Sequence, residues 1–262
     1  MLTNYHTHCD RCQHAEGSVE DYVKQAIIDG FGILGMSDHL PYPHHDYGFR
    51  MDFAEIWDYI YDVRECQEKY GNRIQVLLGF ESEYLRSQRR YYEELLTEYG
   101  AQYLVLGQHF FEADGDLKSA YYLSDTADCV AYARSISEAL DTGCYSLLAH
   151  PDIVGVCCLE WDRHMDEMTD IIIDSALRNR VPLEINANGV RRGYITDSLG
   201  AHYMYPHFKF WEKVAESGAE VVISADCHTP ALLSDSAMDK CRTIARNWRL
   251  NVVEEISLSK IE

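Results

Sequence analysis

The stretch Ile74–Tyr84, IQVLLGFESEY, decides how the chain is read. It begins as a nearly continuous apolar run and ends on the carboxylates of Glu81 and Glu83. A short run of that kind reads as a strand covered on both faces, the condition of a parallel sheet. Carboxylates at its C-terminal end are costly to bury unless a cation or a donor meets them. Six other runs repeat the pattern: residues 2–8 (LTNYHTH), 32–39 (GILGMSDH), 103–110 (YLVLGQHF), 145–152 (YSLLAHPD), 182–189 (PLEINANG) and 220–228 (EVVISADCH).

Amphipathic stretches separate these runs. Residues 18–30 carry Ser18 as an N-cap and stop at Gly30, and residues 52–71 stop at Gly71. Further helices are expected at about 88–98, 125–142, 163–180, 207–217 and 236–247. Strands alternating with helices predict a parallel α/β architecture. No linker, repeat or low-complexity tract divides the chain, so a single domain over 1–262 is expected. Polar residues fall at the C-terminal ends of the strands: His6 and His8, Asp38 and His39, Glu81, His109, His150, Asn186, then Asp226 and His228. An open sheet would spread these along a line, whereas a closed barrel brings them into one mouth. The barrel is therefore the expected form.

Composition narrows the function. Apolar residues make up 47% of the chain and charged residues 25%, as in ordinary globular proteins. The net charge of −20, from 23 basic and 43 acidic residues, disfavours a nucleic-acid partner. No apolar run approaches the roughly 20 residues that span a bilayer, so no membrane partner is expected. The opening MLTNYHTH resembles no export signal, and a cytoplasmic location is expected. The nine cysteines are then read as reduced thiols. Cys9 and Cys12 form a C-x-x-C without a second pair at zinc-finger spacing, and read as bystanders prone to oxidation. Self-association into a homo-oligomer is left open.

The strand-end residues can bind metal. In a strand, residues i and i+2 share a face, so His6 with His8, and Asp226 with His228, are expected to point together. With His14, His39, Glu81, His109 and His150 they give nine candidate ligands, too many for one ion of about four-fold coordination. Two or three clustered divalent ions are expected, with Glu81 as a bridge. Imidazole and carboxylate suit Zn, Mn or Fe. Clustered ions suit phosphoester hydrolysis, in which they acidify a water and hold phosphate oxygens.

These residues resemble the PHP (polymerase and histidinol phosphatase) family of metal-dependent phosphoesterases. The matching motifs are HTH (6–8), His14, SDH (37–39), GFE (79–81), GQHF (107–110), LLAHP (147–151) and SADCH (224–228). Within the family the chain looks most like the histidinol-phosphate phosphatases, in residues 37–84, in LEINANGVRRG and in the segment from Tyr205 to His228. The resemblance implies a distorted (β/α)7 TIM-like barrel. It implies one ion on His6, His8, Glu81 and Asp226, a second on Glu81, His109 and His150, and a third on His14, His39 and His228. It also implies a small-molecule phosphate ester as substrate, with L-histidinol phosphate of histidine biosynthesis first. Arg191 or Arg192 is the expected phosphate ligand, because a guanidinium offers a planar pair of donors. A metal-bridging hydroxide is the expected nucleophile, and Asp226 or His228 the expected proton donor to the leaving oxygen.

Other residues carry weaker signals. Glu83 shares a strand face with Glu81 and reads equally as support or as a solvated carboxylate. Asp38 reads as support for a ligand. His44, His45 and Asp46 read as a surface loop, while His202, Tyr205 and His207 are placed near the substrate pocket. The alternatives to a histidinol-phosphate phosphatase are a phosphoesterase for another small ester or nucleotide, and a metal-binding regulatory protein without turnover.

Overall fold

A computed structural model of the chain describes residues 1–258. Eight parallel strands follow one another in space in chain order: β1 (Leu2–Asn4), β2 (Phe31–Met36), β3 (Gln75–Ser82), β4 (Tyr103–Leu106), β5 (Leu147–Leu148), β6 (Leu183–Asn186), β7 (Glu220–Ser224) and β8 (Asn251–Val252). The seven expected strands are all present. The eighth, β8, was not expected: it pairs only with the start of β7, Glu220 with Asn251 and Val221 with Val252.

The barrel closes at the C-terminal ends of its strands. There Asp226 N–H donates to the His6 carbonyl at 3.1 Å and His8 N–H donates to the Cys227 carbonyl at 3.3 Å. At the opposite end β1 and β7 stand apart, and the segment after β8 fills the gap. Its Glu254 accepts the N-terminal ammonium at 2.7 Å, and the Glu254 carbonyl accepts the hydroxyls of Thr3 and Tyr5. This uneven closure is the distortion of the barrel.

Two apolar layers follow from strand alternation. Tyr5, Ile33, Leu77, Tyr103, Val105, Leu147, Ala149 and Val222 pack inside the barrel, against Val253, Ile256 and Leu258 of the closing segment. The outward residues meet the helices in a larger core. Tyr103 crosses the interior edge-on to Tyr5, and its hydroxyl donates to the Tyr5 carbonyl at 2.8 Å. Gly79 is required beside it, because a Cβ there would strike the Tyr103 ring.

The major helices are α1 (Val19–Ile28), α2 (Ile56–Tyr70), α3 (Arg89–Thr97), α4 (Ala127–Leu140), α5 (Arg163–Asn179), α6 (Ala187–Arg191), α7 (Phe208–Ser217) and α8 (Ser236–Asn247). Ser18 caps α1 by accepting the Asp21 N–H, as expected, and Gly30 follows its end at φ +79°. The short helix α6 corrects the expected strand 182–189, which stops at Asn186. Asn186 turns the chain there: its side-chain oxygen accepts the backbone N–H groups of Asn188 and Gly189. Two hairpins rise on the mouth side, Phe110–Ala113 with Asp116–Ser119 and Tyr194–Asp197 with Gly200–Tyr203. Among the described residues no helix is long and apolar enough to cross a membrane, and no disulfide links the nine cysteines.

Candidate metal centre

All nine expected ligands converge at the mouth, and Glu81 sits at their middle. Its Oε1 lies 3.0 Å from His150 Nε2, 3.3 Å from His6 Nε2 and 3.5 Å from His109 Nε2. Its Oε2 lies 3.0 Å from His39 Nδ1 and 3.5 Å from His8 Nε2. One carboxylate thus faces two groups of imidazoles, one with each oxygen. Gly107 permits this, since a Cβ there would occupy the space of the Glu81 carboxylate. Asp226 Oδ1 stands across the same space, 3.3 Å from His8 Nε2 and 3.7 Å from His6 Nε2. The rings of His14, His39 and His228 cluster toward the rim, with centroids 4.5 to 6.3 Å apart.

The reason given by strand alternation fails for part of this set. Asp226 has φ +42° and His150 φ +30°, both in the left-handed region. The backbone therefore breaks from the strand at each, and Asp226 and His228 meet through that kink, with Oδ1 and Nδ1 3.8 Å apart. β1 likewise ends at Asn4, so His6 and His8 belong to the extended closing segment beyond it.

Buried carboxylates behind the ligands fix which ring nitrogen carries hydrogen. His6 Nδ1 bonds Glu184 at 2.8 Å, His8 Nδ1 bonds Asp38 at 3.3 Å, and His109 Nδ1 bonds Glu83 at 3.0 Å. Each Nδ1 must be the donor, so each Nε2 presents a lone pair to the centre. The His228 Nε2 and His150 Nδ1 atoms are buried without any hydrogen-bond partner. His150 Nε2 and His39 Nδ1 can each donate to Glu81, but the Nε2 atoms of His6, His8 and His109, while those rings are neutral, are acceptors facing carboxylate acceptors, which a cation satisfies. These residues therefore fit divalent metal ions, and a donor set of imidazole and carboxylate suits zinc, manganese or iron.

The electrostatics agree. Burial opposes protonation of His6, but Glu184, Asp226 and Glu81 outweigh it and raise its pKa well above the usual value. His8 is raised to about 9, where burial is overcome by hydrogen bonds to Asp226 and Asp38. Burial would raise the Glu81 carboxyl, yet His6, His109 and His39 hold it well below the carboxylate range. Asp226 is held low in the same way, chiefly by His6 and His8 against burial. His39 and His228 are pushed down to about 4 and about 3, by burial first and then by the charge of His8. In the protein alone, protons on inner imidazoles balance the carboxylates, and a metal ion replaces them.

Above the cluster lies a cavity of about 600 Å³, rimmed by Tyr47, Phe49, Phe110, Tyr121 and Tyr122 and reached by Arg50, Asn188 and Arg192. Arg192 faces it beside Tyr205, whose hydroxyl accepts from Nε at 3.1 Å. Arg191 does not: its guanidinium is spent on Asp235 at 3.0 Å and on the carbonyls of Ala225 and Leu232. Of the two adjacent arginines only Arg192 lines the cavity. The other expected pocket residues also divide. His202 bonds Asp197 and the Tyr203 carbonyl, while His207 stacks on Trp161 and caps α7, so neither lines the cavity. His45 and Asp46 border a separate, smaller depression.

Three residues that border the cluster were not placed there by the sequence reading. Glu184 carries the His6 ring and also accepts the His150 backbone N–H at 3.0 Å, and its one signal was a carboxylate inside the apolar run PLEIN. Arg50 forms a buried two-armed pair with Glu83, 3.2 Å on each arm, and comes from an irregular loop without periodicity. Cys12, read as a bystander, has its Sγ within 4.8 Å of ligand atoms of both His14 and His228.

A parallel barrel whose mouth gathers imidazoles around a shared carboxylate defines a metal-binding barrel of the hydrolase type. Residues 4–188 match the PHP domain, and the chain belongs to that family. A protein of Schizosaccharomyces pombe named "Probable histidinol-phosphatase" is 24% identical over 273 residues, covering 92% of this chain and 87% of its own length. One of the same name from Deinococcus radiodurans is 23% identical over 242 residues, covering 87% of each chain. Among solved structures, the histidinol phosphate phosphatase of Lactococcus lactis, complexed with zinc, L-histidinol and phosphate, superposes with a TM-score of 0.73 over 98% of both chains at 14% identity.

Proposed function

We propose that this protein is a metal-dependent phosphomonoesterase that hydrolyses L-histidinol phosphate to L-histidinol and phosphate. The observation that carries the reading is the cluster of imidazoles around the buried Glu81 carboxylate at the floor of a cavity that Arg192 lines. The cavity volume of about 600 Å³ suits a small ester. The names of the two relatives, and the ligands of the Lactococcus lactis protein, support the choice of substrate. The continuous eight-stranded sheet supports treating residues 1–262 as one catalytic domain.

The proposed ion ligands are His6, His8, Glu81 and Asp226 for one ion, Glu81, His109 and His150 for a second, and His14, His39 and His228 for a third. Ions held there would acidify a water and draw charge from the phosphate oxygens. Arg192 holds the phosphate with two parallel donors, and Tyr205 fixes its guanidinium. The aromatic rim packs the alcohol portion of the ester and excludes water. Asp226 and His228 are both held unprotonated near neutral pH, so either must first take a proton from the attacking water. That proton then passes to the leaving alkoxide. Asp226→Asn separates the two: a steeper dependence of rate on leaving-group pKa assigns the step to Asp226, and an unchanged dependence assigns it to His228.

A substrate panel tests the function. The metal-reconstituted protein is offered L-histidinol phosphate, p-nitrophenyl phosphate, a nucleoside monophosphate and a sugar phosphate. The expected kcat/KM favours L-histidinol phosphate by on the order of 100-fold, about 2.7 kcal/mol of transition-state binding. Equal or better turnover of another ester reassigns the substrate. No turnover with metal bound makes this a binding protein.

A further inference from the structure

The C-x-x-C of the first loop lies outside the nine-residue set, yet the fold delivers one of its thiols to the centre. Cys12 ends the short turn Asp10–Cys12 and is fully buried. Its Sγ lies within 4.8 Å of ligand atoms of His14 and His228, and within the same distance of those of His8 and Asp38. Donors around one tetrahedral zinc stand about 3.5 Å apart, so small side-chain rotations bring this set to coordination distance. The His14 ring is tied to the same turn, its Nδ1 lying 2.8 Å from the Cys12 carbonyl, which turns Nε2 toward the rim of the cluster. The buried His228 Nε2 has no partner. Cys9 differs, for its Sγ is spent on Asp38 at 3.1 Å.

We infer that Cys12, as a thiolate, is a further ligand of the ion held by His14 and His228. The inference rests on the metal-centre reading above and not on the identity of the substrate. When the ion binds, the S–H bond gives its proton to solvent and the freed sulfur lone pair forms the metal bond, with no change of oxidation state. A thiolate is a soft donor, so it biases this outer position toward zinc over manganese, while the inner positions keep imidazole and carboxylate. The competing role for Cys12 is donation of its S–H to Asp38, and a serine hydroxyl preserves that.

Cobalt substitution tests the inference without reference to activity. The cobalt-loaded protein is expected to show a near-ultraviolet thiolate-to-cobalt charge-transfer band. Cys12→Ser should lose the band and hold its weakest zinc equivalent about tenfold more loosely or worse. Cys9→Ser should keep the band. Cobalt bound without the band, which the unmodified protein alone can reveal, overturns the thiolate ligand and leaves the metal centre standing. So does a band that survives Cys12→Ser. Failure to bind cobalt at all overturns both.

Discussion

The Nε2 atoms of His6 and His8 lie 3.1 Å apart, and while both rings are neutral neither can donate to the other. Each ring has committed its other nitrogen to a buried carboxylate, Glu184 for His6 and Asp38 for His8. Two lone pairs at that separation need a cation between them, supplied either by a proton or by a metal ion.

Proton and metal compete most visibly at His8. Its pKa is raised from the ordinary imidazole value of about 6.5 to about 9, so in the metal-free fold it binds a proton more tightly than in the unfolded chain. A raised folded value contributes stability below pH 6.5 that disappears as pH climbs through 9. The chelated protein should therefore lose melting temperature between pH 6.5 and 9. The metal-loaded protein gains affinity over the same interval, as the competing proton is removed. Thermal melts of the two forms should diverge with rising pH, and melts that stay parallel would contradict the assignment.

Glu184 touches no cavity atom but carries the His6 ring and the His150 backbone. Glu184→Gln keeps the shape and replaces one acceptor oxygen with a donor. Loss of a carboxylate behind a metal-bound histidine costs about 10- to 100-fold in metal affinity or activity. Titration with zinc in the presence of a competing chelator should show that weakening, with the fold retained by circular dichroism.

The adjacent arginines should part company. Arg191→Ala breaks a largely buried pair with Asp235 and frees two carbonyls, and should cost about 2 kcal/mol of stability. Arg192→Ala should leave the melting temperature near that of the parent and lower kcat/KM by about 100-fold. Arg192→Lys should recover only part of this, because a single ammonium lacks the paired donors.

The closing segment of the barrel gives a prediction away from the site. Ending the chain at Leu250 removes Val253, Ile256 and Leu258 from the interior layer and the partner of the N-terminal ammonium. Half-burial of three aliphatic side chains amounts to about 3 kcal/mol. Denaturant unfolding should show a loss of that order.

The convergence of the nine residues was legible because chemistry and position coincide in them: an ionisable residue at the end of an apolar run is hard to explain otherwise. Their spatial relations were less so. Alternation along a strand paired Asp226 with His228, but the left-handed backbone at Asp226 is what brings them together. Such a conformation at a non-glycine residue leaves no mark in the sequence. The supporting groups were the hardest to see. Arg50 and Glu83 meet across 33 positions and Glu184 reaches His6 across 178, separations no local pattern encodes. The two-residue strand β8 is too short to show a period, and only the gap between β1 and β7 gives it a purpose. Arg191 and Arg192 looked equivalent until α6 pointed one toward Asp235 and the other toward the cavity.

The most direct test is phosphate release from L-histidinol phosphate by one protein sample before chelation, after it, and after metal is restored. The account predicts turnover that chelation abolishes and zinc or manganese restores. Glu81→Gln should stay at least about 1000-fold below the parent whatever metal is added. Phosphate release that persists in the fully chelated protein, or that Glu81→Gln retains, would contradict it.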